Sequence, residues 1–480
     1  MYYQSTRGAS CTAAPSQAVL QGLAPDGGLY TLPDFGAIAL DWKDTLKLEI
    51  LPMAARILSA LLPDYENMEE LVQRAYRGKF QTEDLTPLVP VGNRYVLELF
   101  RGPTSAFKDV ALSMLPQLMM AARKDGEDEI LILTATSGDT GKAALEGFHD
   151  VPGIRILVFY PEQGVSAVQK AQMVTQQGGN VGVCAIRGNF DDAQSGVKQA
   201  FTHTDLRGTG VRLSSANSIN IGRLAPQVVY YFKAYADLCR MGRIACGDLV
   251  DFVVPTGNFG DILAGYIAKK LGLPVGKLVC ASNANRVLTD FLQTGIYDRR
   301  RPFHKTSSPS MDILISSNLE RLLFDVTQDT GKVARYMKDL EEKGYYQVEP
   351  EVLERLQAQF SAGCCDEEQT QQTIAKLWKE QHYLADPHTA VAWNVAEQLP
   401  SHAPTVVLST ASPFKFPAAV LRAIGGAPEQ DEFATMETLS RATGVEIPKN
   451  LAGLREKPVL HHDVIDREQI MEYVRKKAAQ

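Results

Sequence analysis

No apolar run in this sequence approaches the ~20 residues that a membrane-spanning helix needs, so no membrane partner is expected. The opening Met1-Tyr2-Tyr3-Gln4-Ser5-Thr6-Arg7 lacks an apolar leader core, and no secretory signal is expected either. Cysteine is sparse: seven are scattered along the chain without C-x-x-C spacing, and the adjacent Cys364-Cys365 reads as two reduced thiols. A reducing cytoplasm is the expected setting. There is no H-E-x-x-H, and His461-His462 beside Asp463 sits in a polar stretch, so no metal is expected. Positive charge is in deficit, 49 Lys and Arg against 56 Asp and Glu for a net charge of −7, which argues against a nucleic-acid partner. Nucleotide-loop signatures are missing too. Lys142 follows Gly141, but a phosphate-binding P-loop would need glycine at Thr136 and a hydroxyl at Ala143.

What is present is a globular composition, 45% hydrophobic and 22% charged with 37 glycines, in a 480-residue chain too long for one ordinary core. Turn signals at Ala24 to Gly28 precede two stretches of helical periodicity, Leu46 to Leu62 and Met68 to Tyr76. A hairpin pattern follows over Leu88 to Phe100, turning at Gly92-Asn93. From Phe100 onward, short apolar runs alternate with helical patterns. Strands are expected at Glu129 to Thr134, Ile154 to Tyr160, Asn180 to Ile186, Leu249 to Val254, Lys277 to Ala281 and Thr405 to Leu408. A long helix is expected over Leu224 to Cys239. This alternation predicts parallel α/β sheets with the chemistry in loops that follow strands. The expected division is an N-terminal segment over 1–99 packed on the larger domain, a smaller α/β domain over 100–223 and a larger one over 224–480.

Two of the loops share one design, strand to glycine turn to helix. They are Thr134-Ala135-Thr136-Ser137-Gly138-Asp139-Thr140-Gly141 and Pro255-Thr256-Gly257-Asn258-Phe259-Gly260-Asp261. Glycines let successive backbone N–H groups converge, and the helix dipole behind them adds positive potential, so each is a candidate anion socket. A third polar patch, Ser214 to Gly222, ends in Arg223, whose planar guanidinium suits oxyanions. Between Gly102 and Val110 a lysine, Lys108, stands between Phe107 and an apolar helix start. Burial and the helix dipole both push such an amine toward its neutral, nucleophilic form. A reactive lysine with two or three anion sockets is economically explained by a lysine imine with pyridoxal phosphate.

Four segments in order, Gly102 to Asp109, Ala135 to Gly141, Ser215 to Asn220 and Pro255 to Asp261, closely resemble the motifs of the threonine synthases. The opening Gln17 to Leu23 with Gly27-Gly28-Leu29, and the late Asp386 to Ala392, resemble them too, so the likeness extends to about Ile424. The resemblance implies two parallel-sheet α/β domains of the fold-type II pyridoxal-phosphate (tryptophan synthase beta-like) kind, with an N-terminal segment. It implies a small-molecule substrate, O-phosphohomoserine, converted with water into threonine and phosphate by a monomer or homodimer. Lys108 would hold pyridoxal 5'-phosphate and act as the proton carrier. Gly257, Asn258, Phe259, Gly260 and Asp261 would cradle the cofactor phosphate, and Thr410 would face the pyridine nitrogen. The substrate carboxylate would lie on Ser137, Gly138, Asp139 and Thr140, and its phosphate on Thr136, Thr140, Asn217, Ser218 and Arg223.

One departure stands out: where the family often reads Thr-Ala-His-Pro, this chain has Thr410-Ala411-Ser412-Pro413. The tail beyond about Gly426 matches less clearly and is assigned no chemistry. Two other readings share the cofactor motifs. One is another fold-type II lyase or dehydratase, which would have no use for the patch ending in Arg223. The other is a threonine-synthase-like binding protein without turnover.

Overall fold

Apolar, β-branched runs form the strands. Val250–Pro255 is buried along its whole length, as a strand covered on both faces of a parallel sheet must be. The structure, a computed structural model, describes residues 1–480 apart from 125, 127, 137, 164, 189, 204–208, 400 and 480, and only the backbone of 190, 191, 202 and 203. Two sheets dominate it. The larger has six strands in the order Phe360–Cys364, Val275–Ser282, Val250–Pro255, Thr405–Ser409, Arg94–Glu98 and Leu88–Val91. Its pairings are parallel except for the last, an antiparallel hairpin turned at Gly92, where φ is +57°. The smaller has five strands, Asp463–Asp466, Val181–Arg187, Ile154–Pro161, Glu129–Ala135 and Val211–Ser215, paired in parallel throughout. The expected α/β class with two parallel sheets is the observed one.

Two strand segments cross the expected division of the chain, residues 88–98 and 463–466. The hairpin of residues 88–98 belongs to the larger sheet, because Thr405–Ser409 pairs with Arg94–Glu98 on its outer side. The tail crosses back: Asp463–Asp466 extends the edge of the smaller sheet beside Val181–Arg187. The following helix Ile470–Ala478 buries Ile470, Val474 and Ala478 in one cluster with Leu131, Leu133 and Ile186. Their i, i+4, i+8 spacing marks one helix face. The single helix expected from Leu224 is broken instead into Ile221–Leu224, a 3-10 turn Ala225–Gln227 and Val228–Arg240. Pro226 lacks the N–H that a continuous helix would use there.

The N-terminal segment carries a three-stranded sheet and the helices Ile50–Leu61 and Met68–Tyr76. Arg7 forms a bidentate pair with Glu320, each bond 2.8 Å long. Tyr76 donates its hydroxyl to the carbonyl of Val110 at 2.8 Å, bracing the helix that starts at Lys108.

Candidate active site

The helix Lys108–Ala122 starts beside the loop that leaves the strand Thr405–Ser409. Asp109 organises the turn before it. Its carboxylate accepts from the Thr104 N–H at 2.9 Å, the Thr104 hydroxyl at 2.5 Å and the Ala106 N–H at 3.5 Å. Gly102 leaves room for that carboxylate, since a Cβ there would lie 2.4 Å from it. Burial, opposed by these hydrogen bonds and by Lys415, pushes the Asp109 carboxyl up to about 6. Ala106 bridges Ala411, and the Phe107 N–H donates to the Thr410 carbonyl at 2.9 Å, which locks the lysine turn to the late loop.

Lys108 is half-buried, with Nζ 5.2 Å from the centroid of the Phe107 ring and 3.4 Å from Ser310 Oγ. Among the described residues no carboxylate makes a salt bridge with it. Burial, with the charges of Lys415 and Arg223, outweighs Asp139 and Asp109 and lowers its pKa to about 8. The amine is therefore readily available in neutral form, as a nucleophile and general base near neutral pH require.

The loop after Glu129–Ala135 is closed by Thr136, whose hydroxyl oxygen accepts from the N–H groups of Gly138 and Gly141 at 2.9 and 2.8 Å. Gly138 has φ +142°, a conformation open to glycine, and a Cβ there would lie 2.6 Å from the Gln169 side chain. Ser137 lies outside the described residues. Asp139 is buried and already engaged: Lys415 Nζ lies 2.5 Å from Oδ1, and Gln169 donates to the same oxygen at 2.8 Å. Burial pushes the Asp139 carboxyl up, but Lys415 and Lys108 outweigh it and hold it well below the usual carboxylate range. Thr140 and Asn217 are half-buried, and their side chains have no hydrogen-bond partner among the described residues.

In the second loop, a Cβ on Gly257 would lie 2.6 Å from the Ser310 carbonyl oxygen, so only glycine permits this approach. Phe259 takes the left-handed conformation at φ +61° and caps the helix Gly260–Lys270. A left-handed residue just before a helix turns successive N–H groups inward, as an anion nest requires. The Asn258 carbonyl accepts from the backbone and side-chain amides of Asn318 at 3.0 and 3.1 Å. The Asp261 carboxylate is held by the hydroxyls of Tyr230 and Tyr231 at 2.6 and 3.0 Å, while its Oδ2 is buried without a partner among the described residues. Burial, opposed by the two tyrosines and Lys108, pushes it up to about 7. A phosphate in this turn would therefore be served by the backbone of Asp261 rather than by its side chain.

Arg223 sits in the short helix Ile221–Leu224, capped by Asn220, which accepts from the Gly222 N–H at 2.9 Å. The residue is only 3% exposed; its guanidinium donates to the Ala216 carbonyl at 2.6 Å and leaves Nε buried and unpaired among the described residues. Burial lowers its pKa to about 10. No carboxylate pairs with it among the described residues, and a buried, unpaired cation is costly unless an anion completes it. Ser218 flanks the same patch, 3.3 Å from Ser317.

Several residues of the site escape reasoning from sequence. Ser310 and His388 come from distant segments: the Ser310 N–H donates to His388 Nε2 at 3.2 Å, and His388 Nδ1 lies 2.7 Å from Asp386. The backbone donor thus leaves the ring proton on Nδ1, directed at the carboxylate. Lys415 had a readable cue, since Phe414-Lys415-Phe416 repeats the apolar setting of Lys108. Ser412, at the position where the family often has histidine, accepts from the Phe414 N–H at 3.3 Å and so caps the turn that carries Lys415. The tail also reaches the site. Asn450 donates to the Pro103 carbonyl at 2.8 Å and pairs with Ser105, a non-glycine residue at φ +60°. Replacing Asn450 with alanine is expected to lower stability by about 1–2 kcal/mol and to slow cofactor uptake, read by thermal melting and by the growth of visible absorption.

A family model described as pyridoxal-phosphate dependent enzyme matches residues 81–411. Models described as threonine synthase N terminus and threonine synthase, C-terminal match residues 2–76 and 389–474. The threonine synthase of Pseudomonas aeruginosa is 40% identical over 441 residues, covering 89% of this chain and 92% of that protein. The chain belongs to the threonine synthase family. The crystal structure of a PLP-bound threonine synthase from Brucella melitensis superposes with a TM-score of 0.88 at 38% identity, covering 100% of both chains. The yeast threonine synthase superposes at 0.87 with 33% identity, covering 100% of this chain and 99% of that one. The human threonine synthase-like 1 protein is 40% identical over 429 residues, which are 85% of this chain but 58% of that protein. The chain thus spans little more than half the length of the threonine synthase-like 1 relatives it matches.

The cofactor of this threonine synthase family member is pyridoxal 5'-phosphate, and its residues fit that group. Lys108 offers an amine free of carboxylate pairing among the described residues, and the Gly257 to Asp261 turn offers a backbone cradle that a Cβ at Gly257 would fill. The buried hydroxyl of Thr410 stands on the loop that touches the lysine turn.

Proposed function

We propose that the chain converts O-phosphohomoserine and water into threonine and phosphate, with pyridoxal phosphate held by Lys108, the backbone of Gly257 to Asp261, and Thr410. The unpaired Nε of buried Arg223 carries this reading, because it calls for an anion close enough to Lys108 for the two charges to interact. When bound, the cofactor supplies an electron sink that acidifies the carbon-bound hydrogens next to the amine. The chain's own residues do the remainder. Lys108, once free of the cofactor, takes the proton from Cα, releases it, and then takes one from Cβ. After the phosphate has left, a proton is returned to Cγ, which becomes the methyl group, and Cα regains its own once water has added. Arg223, with Ser218 and Asn217, holds the phosphate as it leaves Cγ, and water adds at Cβ. The first glycine loop receives the carboxylate on N–H groups other than those of Gly138 and Gly141, which Thr136 occupies, and the Asp139–Lys415 pair holds that loop in place. A general base with pKa about 8 suits such transfers, each typically worth ~10²- to 10⁴-fold in rate.

The reaction is placed in a reducing cytoplasm, in keeping with seven unpaired cysteines. Among the described residues no helix is long and apolar enough to cross a membrane. The reading is tested by phosphate release from O-phosphohomoserine in wild type and Arg223→Leu. The variant is expected to keep the cofactor absorption and to lose ~10²- to 10³-fold in kcat/KM, the usual loss on removing a charge-stabilising donor. Wild-type chain that takes up the cofactor yet releases no phosphate would favour a dehydratase or a binding protein.

A further inference from the structure

We infer that Ser310 is a positioning residue for the Lys108 amine: its hydroxyl couples that amine to the buried Asp139–Lys415 pair and steadies the proton that Lys108 carries during turnover. The inference rests on the reading of Lys108 as the cofactor lysine. Lys108 Nζ donates to Ser310 Oγ at 3.4 Å, and Ser310 Oγ donates to Asp139 Oδ2 at 3.5 Å. The direction follows from chemistry. An ionised carboxylate only accepts, so the Ser310 proton faces Asp139 and its lone pairs face Lys108.

The turn that carries Ser310 is held from several sides. Its N–H is bound by His388, and its carbonyl lies against Gly257. Asn283 binds the neighbouring Ser308 hydroxyl at 2.9 Å and Asp312 at 2.8 Å, while Asp312 also accepts from the Thr306 N–H at 2.9 Å. Such anchoring presents the hydroxyl in one place without freezing further rotamers at the moment of reaction.

The charges that face Lys108 explain why a neutral acceptor is needed. Asp139 projects from the helix Asp139–Gly147, Lys415 from the turn Pro413–Lys415, Arg223 from Ile221–Leu224, Asp261 from Gly260–Lys270 and Asp109 from Lys108's own helix. His388 reaches the backbone of Ser310 rather than the amine. The anion that acts most strongly on it, Asp139, spends one oxygen on Lys415, and the two cations repel a protonated Lys108. Ser310 passes part of the remaining negative potential of Asp139 to the amine. When Lys108 accepts a proton from the substrate carbon, that proton gains a hydrogen-bond acceptor, and no bond to Ser310 forms or breaks.

The test compares full-length wild type, S310A and S310T. Cofactor-free chain is mixed with pyridoxal phosphate, and the rate of visible absorption growth is followed against pH to report the neutral fraction of Lys108. kcat and KM for phosphate release are measured on the loaded chains. Removing an acceptor for the charged form lowers an amine's pKa, so the S310A midpoint is expected to fall by ~0.5–1 pH unit. Its kcat is expected to fall ~10-fold with KM changed less than about twofold, and S310T is expected to restore both. An S310A chain with wild-type midpoint and kcat would overturn the inference. So would an S310T chain as impaired as S310A, because packing rather than the hydroxyl would then be at work. If wild type develops no absorption, the reading of Lys108 fails and the inference falls with it.

Discussion

Lys108→Ala is expected to abolish the visible absorption on adding pyridoxal phosphate and to cut phosphate release by roughly 10²- to 10⁴-fold or more, the range for a positioned acid–base group. The same substitution is expected to leave the melting temperature unchanged or raised. Lys108 is an amine whose folded pKa is lowered, first by burial and then by Lys415 and Arg223. The folded state thus disfavours its charged form, and the loss is present at every pH below the folded value near 8, where the unfolded lysine is charged. Removing the side chain relieves that penalty. Activity loss without stability loss separates a functional lysine from a structural one. A variant that keeps the absorption and releases phosphate within tenfold of wild type would show that another amine holds the cofactor.

Lys415→Met is expected to be the most destabilising substitution at the site. The pair it breaks is fully enclosed, with the Lys415 and Asp139 side chains 0% and 3% exposed and 2.5 Å apart. Deleting one partner of a buried ion pair typically costs about 3–5 kcal/mol, because the other charge stays buried without compensation. The Thr104 carbonyl, which accepts from Lys415 at 3.2 Å, loses that donor as well and keeps only the Gln172 amide at 3.3 Å. The pH dependence follows from Asp139. Its folded pKa is lowered, so its contribution in wild type is present above the unfolded carboxylate value near 4 and is lost as pH falls below it. In the variant the same carboxyl is protonated at higher pH and ceases to be a buried charge. The difference in melting temperature should therefore be largest near neutrality and narrow toward about pH 5. A difference that stays constant across that range would mean that packing, and not charge, holds Lys415 in place. Lys108 also loses a like-charged neighbour in this variant, so its amine is expected to titrate higher.

Local chemistry makes much of the site legible in the sequence alone. The glycine loops, the lysine between an aromatic residue and an apolar helix start, and the Ser/Asn patch ending in Arg223 are contiguous stretches. Their backbone demands, left-handed turns and converging N–H groups among them, are written in neighbouring residues. The buried apolar strands are legible for the same reason, since a strand covered on both faces must be apolar along its length. Less legible is Asp261, which reads as part of a phosphate cradle but whose carboxylate is held by Tyr230 and Tyr231 from another helix.

What the sequence by itself determined is the parallel α/β class, the cofactor lysine as a candidate, and three candidate anion sockets. Each depends on residues a few positions apart. Only the tertiary structure decided that Asp139 is committed to the distant Lys415, that Ser310 stands between Lys108 and Asp139, and that Asn450 of the tail supports the lysine turn. It also decided that residues 463–466 complete the smaller sheet. The reason is physical: pairing between buried charges, and pairing between strand edges, is set by which groups the packed core brings within a few ångströms, and sequence separation carries almost no information about that distance.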